Sequence, residues 1–229
     1  IDHPDQYLDS LEVSGVLVDR IKRKRIINDL INNTAKDLNL HPDLSDQLLN
    51  EITDLVELPD LVIGDFDDKY LSLPTEVLCT VMKNHQRYIP LFKTNKEFSK
   101  LGLDSQKTLS TNFFLISNGL NEANKSIKKG NESVLKARFA DAKFFIETDL
   151  NLSSSDRNKK ISSISYLKGL GNIAEKVERI IYIANEICNE LKDSSINIQE
   201  LLEAAKFSKH DLCSEIVKEF PELQGTMGG

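Results

Sequence analysis

The sequence predicts an α+β fold: a mixed α/β domain over residues 1–150, followed over 159–229 by the first helices of an all-α domain. Three observations carry that reading. Apolar residues recur at helical spacing near the start of the chain and again through its last third. Between these stretches, short apolar runs bounded by Pro and Gly read as strands. A polar, serine-rich segment at 151–158 separates the two kinds of texture and reads as a linker.

The elements follow in order. Residues 19–38 place Ile21, Ile27, Ile31, Ala35 and Leu38 on one face of a helix, with basic residues on the flank. Asp43-Leu44-Ser45 opens a second helix running to Val56, and Pro59 stops it, because proline cannot continue a helix and restricts the residue before it. Leu61-Val62-Ile63 is a short strand ended by Gly64. Pro74, near the first turn where a missing N–H costs nothing, starts a helix through Asn84. Residues 88–92 and 112–117 are strands, with a polar loop at 94–110 between them.

From Asn131 onward everything reads as helix. Asn131 caps a helix to Glu147 that buries Val134, Leu135, Ala142, Phe145 and Ile146. Gly169-Leu170-Gly171 sets a turn. Leu170, Ile173, Val177, Ile180, Ala184, Ile187 and Leu191 then form a stripe expected to be buried along its length. A further helix covers 198–218.

Composition narrows the function. Of 229 residues 40% are hydrophobic, and no apolar run approaches the roughly 20 residues a membrane helix needs. The chain opens without Met or a signal-peptide pattern, and its end does not read as a finished terminus, so it reads as part of a longer polypeptide. Three scattered cysteines, Cys79, Cys188 and Cys213, form no disulfide framework and suit a reducing cytoplasm as buried small hydrophobes. The net charge of −7 opposes nucleic-acid binding only weakly, because RNA responds to the local field and not to the chain total. Basic residues are clumped: Arg20 to Arg25 in one cluster; Lys125, Lys128, Lys129, Lys136 and Arg138 in another.

No Walker A loop, dinucleotide glycine fingerprint, G-x-S-x-G elbow or H-E-x-x-H motif is present. Of four histidines, His3 and His41 each precede Pro and read as structural. His210-Asp211 follows an apolar helix, as the metal-binding pair does in HD-type phosphohydrolases. Metal capture needs further ligands, residues 166–229 hold no second His, and Lys209 opposes a cation there. His210 and Asp211 are therefore weak metal candidates, and an HD-like domain with an inactive centre is the better reading. His85-Gln86-Arg87-Tyr88 combines an Arg that can fork onto phosphate, an aromatic that can stack on a base, and two side chains able to read base edges. The competing reading puts Tyr88 in the core and the other three on loop backbone groups.

The ordered set formed by residues 73–78 with 85–88, Ser117-Asn118, the block 130–145, Leu170-Gly171 with 176–180, and 219–228 resembles the beta subunit of bacterial heterotetrameric glycyl-tRNA synthetase. The resemblance spans nearly the whole chain and implies an internal piece of that subunit: an editing-module-like, non-catalytic accessory domain and the start of an HD-like domain. It implies a cytoplasmic aminoacyl-tRNA synthetase of class II. There the alpha subunit carries the ATP and glycine site with its Mg, and the beta subunit binds tRNA(Gly). On this reading the chain supports tRNA binding and assembly, with no catalytic residue and no cofactor of its own, and with no membrane or DNA partner. His85, Arg87, Tyr88, Lys128, Lys136 and Arg138 are the candidate RNA contacts. The alternatives are a protein-docking scaffold, or a metal-dependent phosphohydrolase built on His210-Asp211.

Overall fold

The computed structural model describes residues 3–93, 109–119, 123–191 and 196–228. It is mixed α and β, with one four-stranded antiparallel sheet and a small hairpin. The chain forms two compact units, Ile1–Asp141 and Ala142–Gly229.

In the first unit, helix α1 (Tyr7–Val13) precedes α2 (Arg20–Asp37). Asp19 caps α2, its carboxylate accepting from Ile21 N at 2.8 Å and Lys22 N at 3.1 Å, which satisfies two of the donors a helix start leaves open. The α2 stripe buries Ile27, Ile31 and Ala35, but Ile21 is 73% exposed: the first turn of α2 presents that side chain to solvent instead of to the core. Strand β1 (His41–Pro42) leads to α3 (Asp46–Leu55), which Ser45 caps through Leu48 N. Strands β2 (Pro59–Asp65), β3 (Ile89–Phe92) and β4 (Leu109–Asn118) complete the sheet in the order β1-β3-β4-β2.

Strand β2 is longer than the apolar run alone indicates, because polar Asp60 and Asp65 also pair, opposite Ser117 and Asn112. Gly64 lies inside the strand and does not end it. A Cβ there would stand 2.3 Å from Phe113 Cζ, so the residue is glycine to admit the ring of its cross-strand partner. Successive residues of β4 point to opposite faces. Phe114 joins the cluster of α2 and α3 side chains (Ile27, Ile31, Leu48, Ile52) on one face. Phe113 turns to the other and stacks on Tyr88 at 4.9 Å. Both rings are fully buried, which is why the strand reads as an uninterrupted apolar run.

Helix α4 (Thr75–Thr80) passes directly into a π turn, Val81–His85. Helix α5 runs Asn124–Leu150, so Asn131 is an interior residue and not a cap. Its buried face carries Leu135, Phe139 and Ala142, while Val134 is exposed. Phe139 meets Phe66 edge-on at 5.1 Å and Tyr70 at 5.4 Å. The loop expected at 94–110 lies almost wholly outside the described residues.

In the second unit the serine-rich stretch is not a plain linker. Ser153 caps helix α6 (Ser154–Lys160) by accepting from Asp156 N. A short hairpin of β5 (Ser165–Leu167) and β6 (Gly171–Asn172) interrupts the expected run of helices, with Gly169 and Gly171 at positive φ around its turn. Helix α7 (Ile173–Leu191) buries Ile173 and Val177 against Ile161 and Cys213. Ile187 and Leu191, at the far end of the stripe, are 52% and 62% exposed, so burial does not extend along its whole length. Helix α8 (Ile198–Phe207) ends earlier than expected. A 3-10 turn at His210–Cys213 and helix α9 (Glu215–Glu219) follow it.

Candidate functional site

The segment between α4 and β3 is one place where the first unit departs from regular geometry. Pi turns insert an extra residue into a helix and often occur at functional sites. Here the turn is followed by Arg87 at φ 56, a left-handed conformation that costs a non-glycine residue roughly 1–2 kcal/mol. The Arg87 Nη1 donates to Asn84 O at 2.6 Å, and Nε lies 3.3 Å from Glu51 Oε2. The side chain is exposed, so this ion pair is easily exchanged for another anion.

Tyr88 turns the opposite way, inward. It is 4% exposed, and its hydroxyl donates to Asn131 Oδ1 at 2.5 Å. Asn131 completes the link by donating from Nδ2 to Ile127 O in its own helix. Burial pushes the Tyr88 phenol up to about 12. Its stacking face is already occupied by Phe113, so the expected role of Tyr88 as a platform for an RNA base is corrected: the ring is core, and its hydroxyl fixes α5 to the segment after the π turn.

Around this link lies a cavity of about 280 Å³. Ile52, Leu55, Val56, Leu115, Ile116 and Ile127 give it apolar walls, while Gln86, Arg87, Ser117, Asn118 and Asn131 supply polar groups. The polar positions are held in place. Asn118 Oδ1 accepts from Glu57 N and Leu58 N at 3.0 and 2.9 Å, and Ser117 Oγ donates to Asp60 O.

The residues named from sequence do not share one surface. His85 ends the π turn, half-buried, two residues from exposed Arg87. Lys128 is drawn into an acidic pair, 3.0 Å from Asp65 and 3.4 Å from Glu132, and Asp65 holds its ammonium above the usual lysine range. Arg138 is half-buried and Lys136 is exposed. With about 100° of helix rotation per residue, Lys125, Lys129 and Lys136 fall on one outward stripe of α5, all exposed. Ile127 and Asn131 face the cavity from the opposite flank. Arg20 and Lys22 of the earlier basic cluster pair with Asp54 and Glu12, and Arg23 spends its guanidinium on backbone carbonyls of Thr53 and Leu17.

His210 and Asp211 lie in a 3-10 turn, not on a helix, and each has another partner. His210 Nδ1 is 2.5 Å from Phe207 O, and Asp211 Oδ2 accepts from Gly225 N at 2.6 Å. Among the described residues no group of three or more His, Cys, Asp or Glu stands close enough to hold a metal. Both side chains make contacts within the local fold. All three cysteines are free and buried, and burial pushes Cys79 up to about 12, which leaves a thiol rather than a reactive thiolate. No described helix is long and apolar enough to cross a membrane.

The family model for the glycyl-tRNA synthetase beta subunit matches residues 1–229. The chain belongs to the glycyl-tRNA synthetase beta subunit family. It is 39% identical over 228 residues to the glycine–tRNA ligase beta subunit of Trichodesmium erythraeum, covering 100% of this chain and 31% of that protein. It is 40% identical over 229 residues to that of Thermodesulfovibrio yellowstonii, and 35% identical over 228 residues to that of Bacillus subtilis, covering 32% of each. The chain therefore spans about a third of the length of these relatives. In this member of the glycyl-tRNA synthetase beta subunit family, Ser117-Asn118 closes β4 at the cavity, Gln86, Arg87 and Tyr88 line it, and residues 130–145 lie within α5.

Two features of the site are hidden in the sequence. The π turn has no periodic signature within a six-residue helix. Asn131 reads locally as a cap, because its bond to Tyr88 crosses 43 positions of chain.

Proposed function

We propose that the chain is the tRNA-facing, non-catalytic portion of a glycine–tRNA ligase beta subunit, supporting ATP-dependent attachment of glycine to tRNA(Gly) by a catalytic alpha subunit in the cytoplasm. ATP and its magnesium belong, on this reading, to the class II site of the alpha subunit. The carrying observation is the outward row of Lys125, Lys129 and Lys136 on α5, exposed and with no ion pair among the described residues, in a chain of net charge −7. A row of solvated ammonium groups along a rigid helix is the electrostatic footprint that follows a phosphate backbone. Arg87 adds an exposed donor at the cavity. Serial tRNA gel shifts set beside capture of the alpha subunit on the immobilised chain test this reading: retarded tRNA supports it, and capture of the alpha subunit without any retardation removes it.

The second reading, a protein-docking scaffold, is favoured by a different observation in the second unit. Ile183, Ile187 and Leu191 recur on one stripe of α7 and are 55%, 52% and 62% exposed. Ile187→Asp that abolishes capture of the alpha subunit and leaves tRNA retardation intact assigns that stripe to the docking role.

A further inference from the structure

The cavity beside Tyr88 has the dimensions and the lining of a site for one small molecule, and neither the lysine row nor the family match says what enters it. Its volume of about 280 Å³ sits at the lower edge of the roughly 300–1,000 Å³ usual for ligand pockets. Six aliphatic side chains make its walls, which suits a flat, weakly hydrated body. The polar groups among its lining residues are of the kinds that read a heterocycle edge. The Gln86 amide makes no hydrogen bond among the described residues and offers both a donor and an acceptor. Asn118 uses Oδ1 on the backbone of Glu57 and Leu58, which fixes its amide and leaves Nδ2 to donate. Arg87 also lines it: its guanidinium is held by the half-buried Glu51 carboxylate and one carbonyl, and its backbone is left-handed at a conformational cost. Such strain is concentrated at ligand sites. The walls are fixed beforehand by the bond between Tyr88 and Asn131, so little ordering remains for a ligand to bring about.

We propose that this cavity binds one nucleotide, with its base between the aliphatic walls, its edge on Gln86 and Asn118, and its phosphate on Arg87. The proposal rests on the RNA-facing reading for its biological source, which is an unpaired nucleotide of RNA; a free mononucleotide is the other source of the same chemistry. The chain contains no Trp, so a fluorescent base is read without interference. The probes are 2-aminopurine riboside monophosphate and a single-stranded RNA trimer carrying 2-aminopurine, each titrated with the chain.

A saturable fluorescence change of the trimer is expected, at an affinity at least tenfold above that for the monophosphate. Equal affinities for the two probes assign the site to free mononucleotides and overturn the RNA source. Gln86→Ala and Arg87→Gly should each weaken trimer binding at least fivefold, and Ile127→Phe, which fills the slot, should abolish the response. Unfolding midpoints measured alongside separate loss of the slot from loss of the fold. Unlabelled tRNA retarded by the chain with no response from either probe overturns the nucleotide site and leaves the RNA-facing reading standing. Absence of both removes the two together, and a response that survives filling of the slot in a folded variant places the base elsewhere.

Discussion

The hydroxyl of Tyr88 donates to the side-chain oxygen of Asn131 at 2.5 Å, joining the segment after the π turn to the middle of α5. Removing one partner of a buried hydrogen bond leaves the other unsatisfied, which costs about 1–3 kcal/mol. Tyr88→Phe is therefore expected to lower the denaturant midpoint with an unchanged slope, while Asn131→Ala in the same background costs less than it does alone. A double-mutant cycle by urea unfolding measures the difference.

The same phenol and the thiol of Cys79 give a pH dependence. Both are raised in the folded protein to about 12, from ordinary values near 10 and 9. The native state holds these protons more tightly than the unfolded chain. Their contribution to stability is complete below pH 9 and is lost as pH rises through 12. Urea midpoints measured from neutral to strongly alkaline pH should fall, and Tyr88→Phe with Cys79→Ala should fall less steeply.

Gly64 is predicted to tolerate no side chain while Phe113 is present. Gly64→Ala places a methyl 2.3 Å from the ring, and overpacking of this kind costs about 1–3 kcal/mol. Thermal unfolding should show the loss, and Phe113→Leu combined with Gly64→Ala should recover part of it.

In the second unit Asp149 is 8% exposed and caps α9 across the chain, its carboxylate accepting from Glu215 N at 2.8 Å and Ile216 N at 3.0 Å. Loss of a cap costs about 0.5–2 kcal/mol. Asp149→Ala should leave the first unit untouched and speed amide exchange at residues 215–217, read by hydrogen exchange.

These residues also show how far the sequence can be read. Past its first turn α2, and α3 throughout, are legible because their apolar periods match the faces they bury, and strands β3 and β4 because both their faces are buried and they read as apolar runs. The extent of α5 is not, because Asn131 reads as a cap; the helix runs through it while Leu135 and Phe139 anchor it and Asn131 turns its amide to Tyr88. The α7 stripe is legible as a helix but not in its burial, since exposure depends on what packs against Ile187 and Leu191 and not on their spacing. At the site, Arg87 is legible as a donor. The face of Tyr88 is not, because nothing local reveals that Phe113 already covers its ring.

The lysine row of α5 carries the proposed function, and the salt dependence of tRNA binding tests it most directly. Removing one phosphate-binding lysine lowers the slope of log affinity against log salt by about one. Titration of the chain and of a Lys125, Lys129, Lys136 triple alanine variant with tRNA(Gly) at two salt concentrations should give weaker binding and a slope shallower by about three for the variant. A folded variant that binds with the affinity and slope of the parent chain would contradict the assignment.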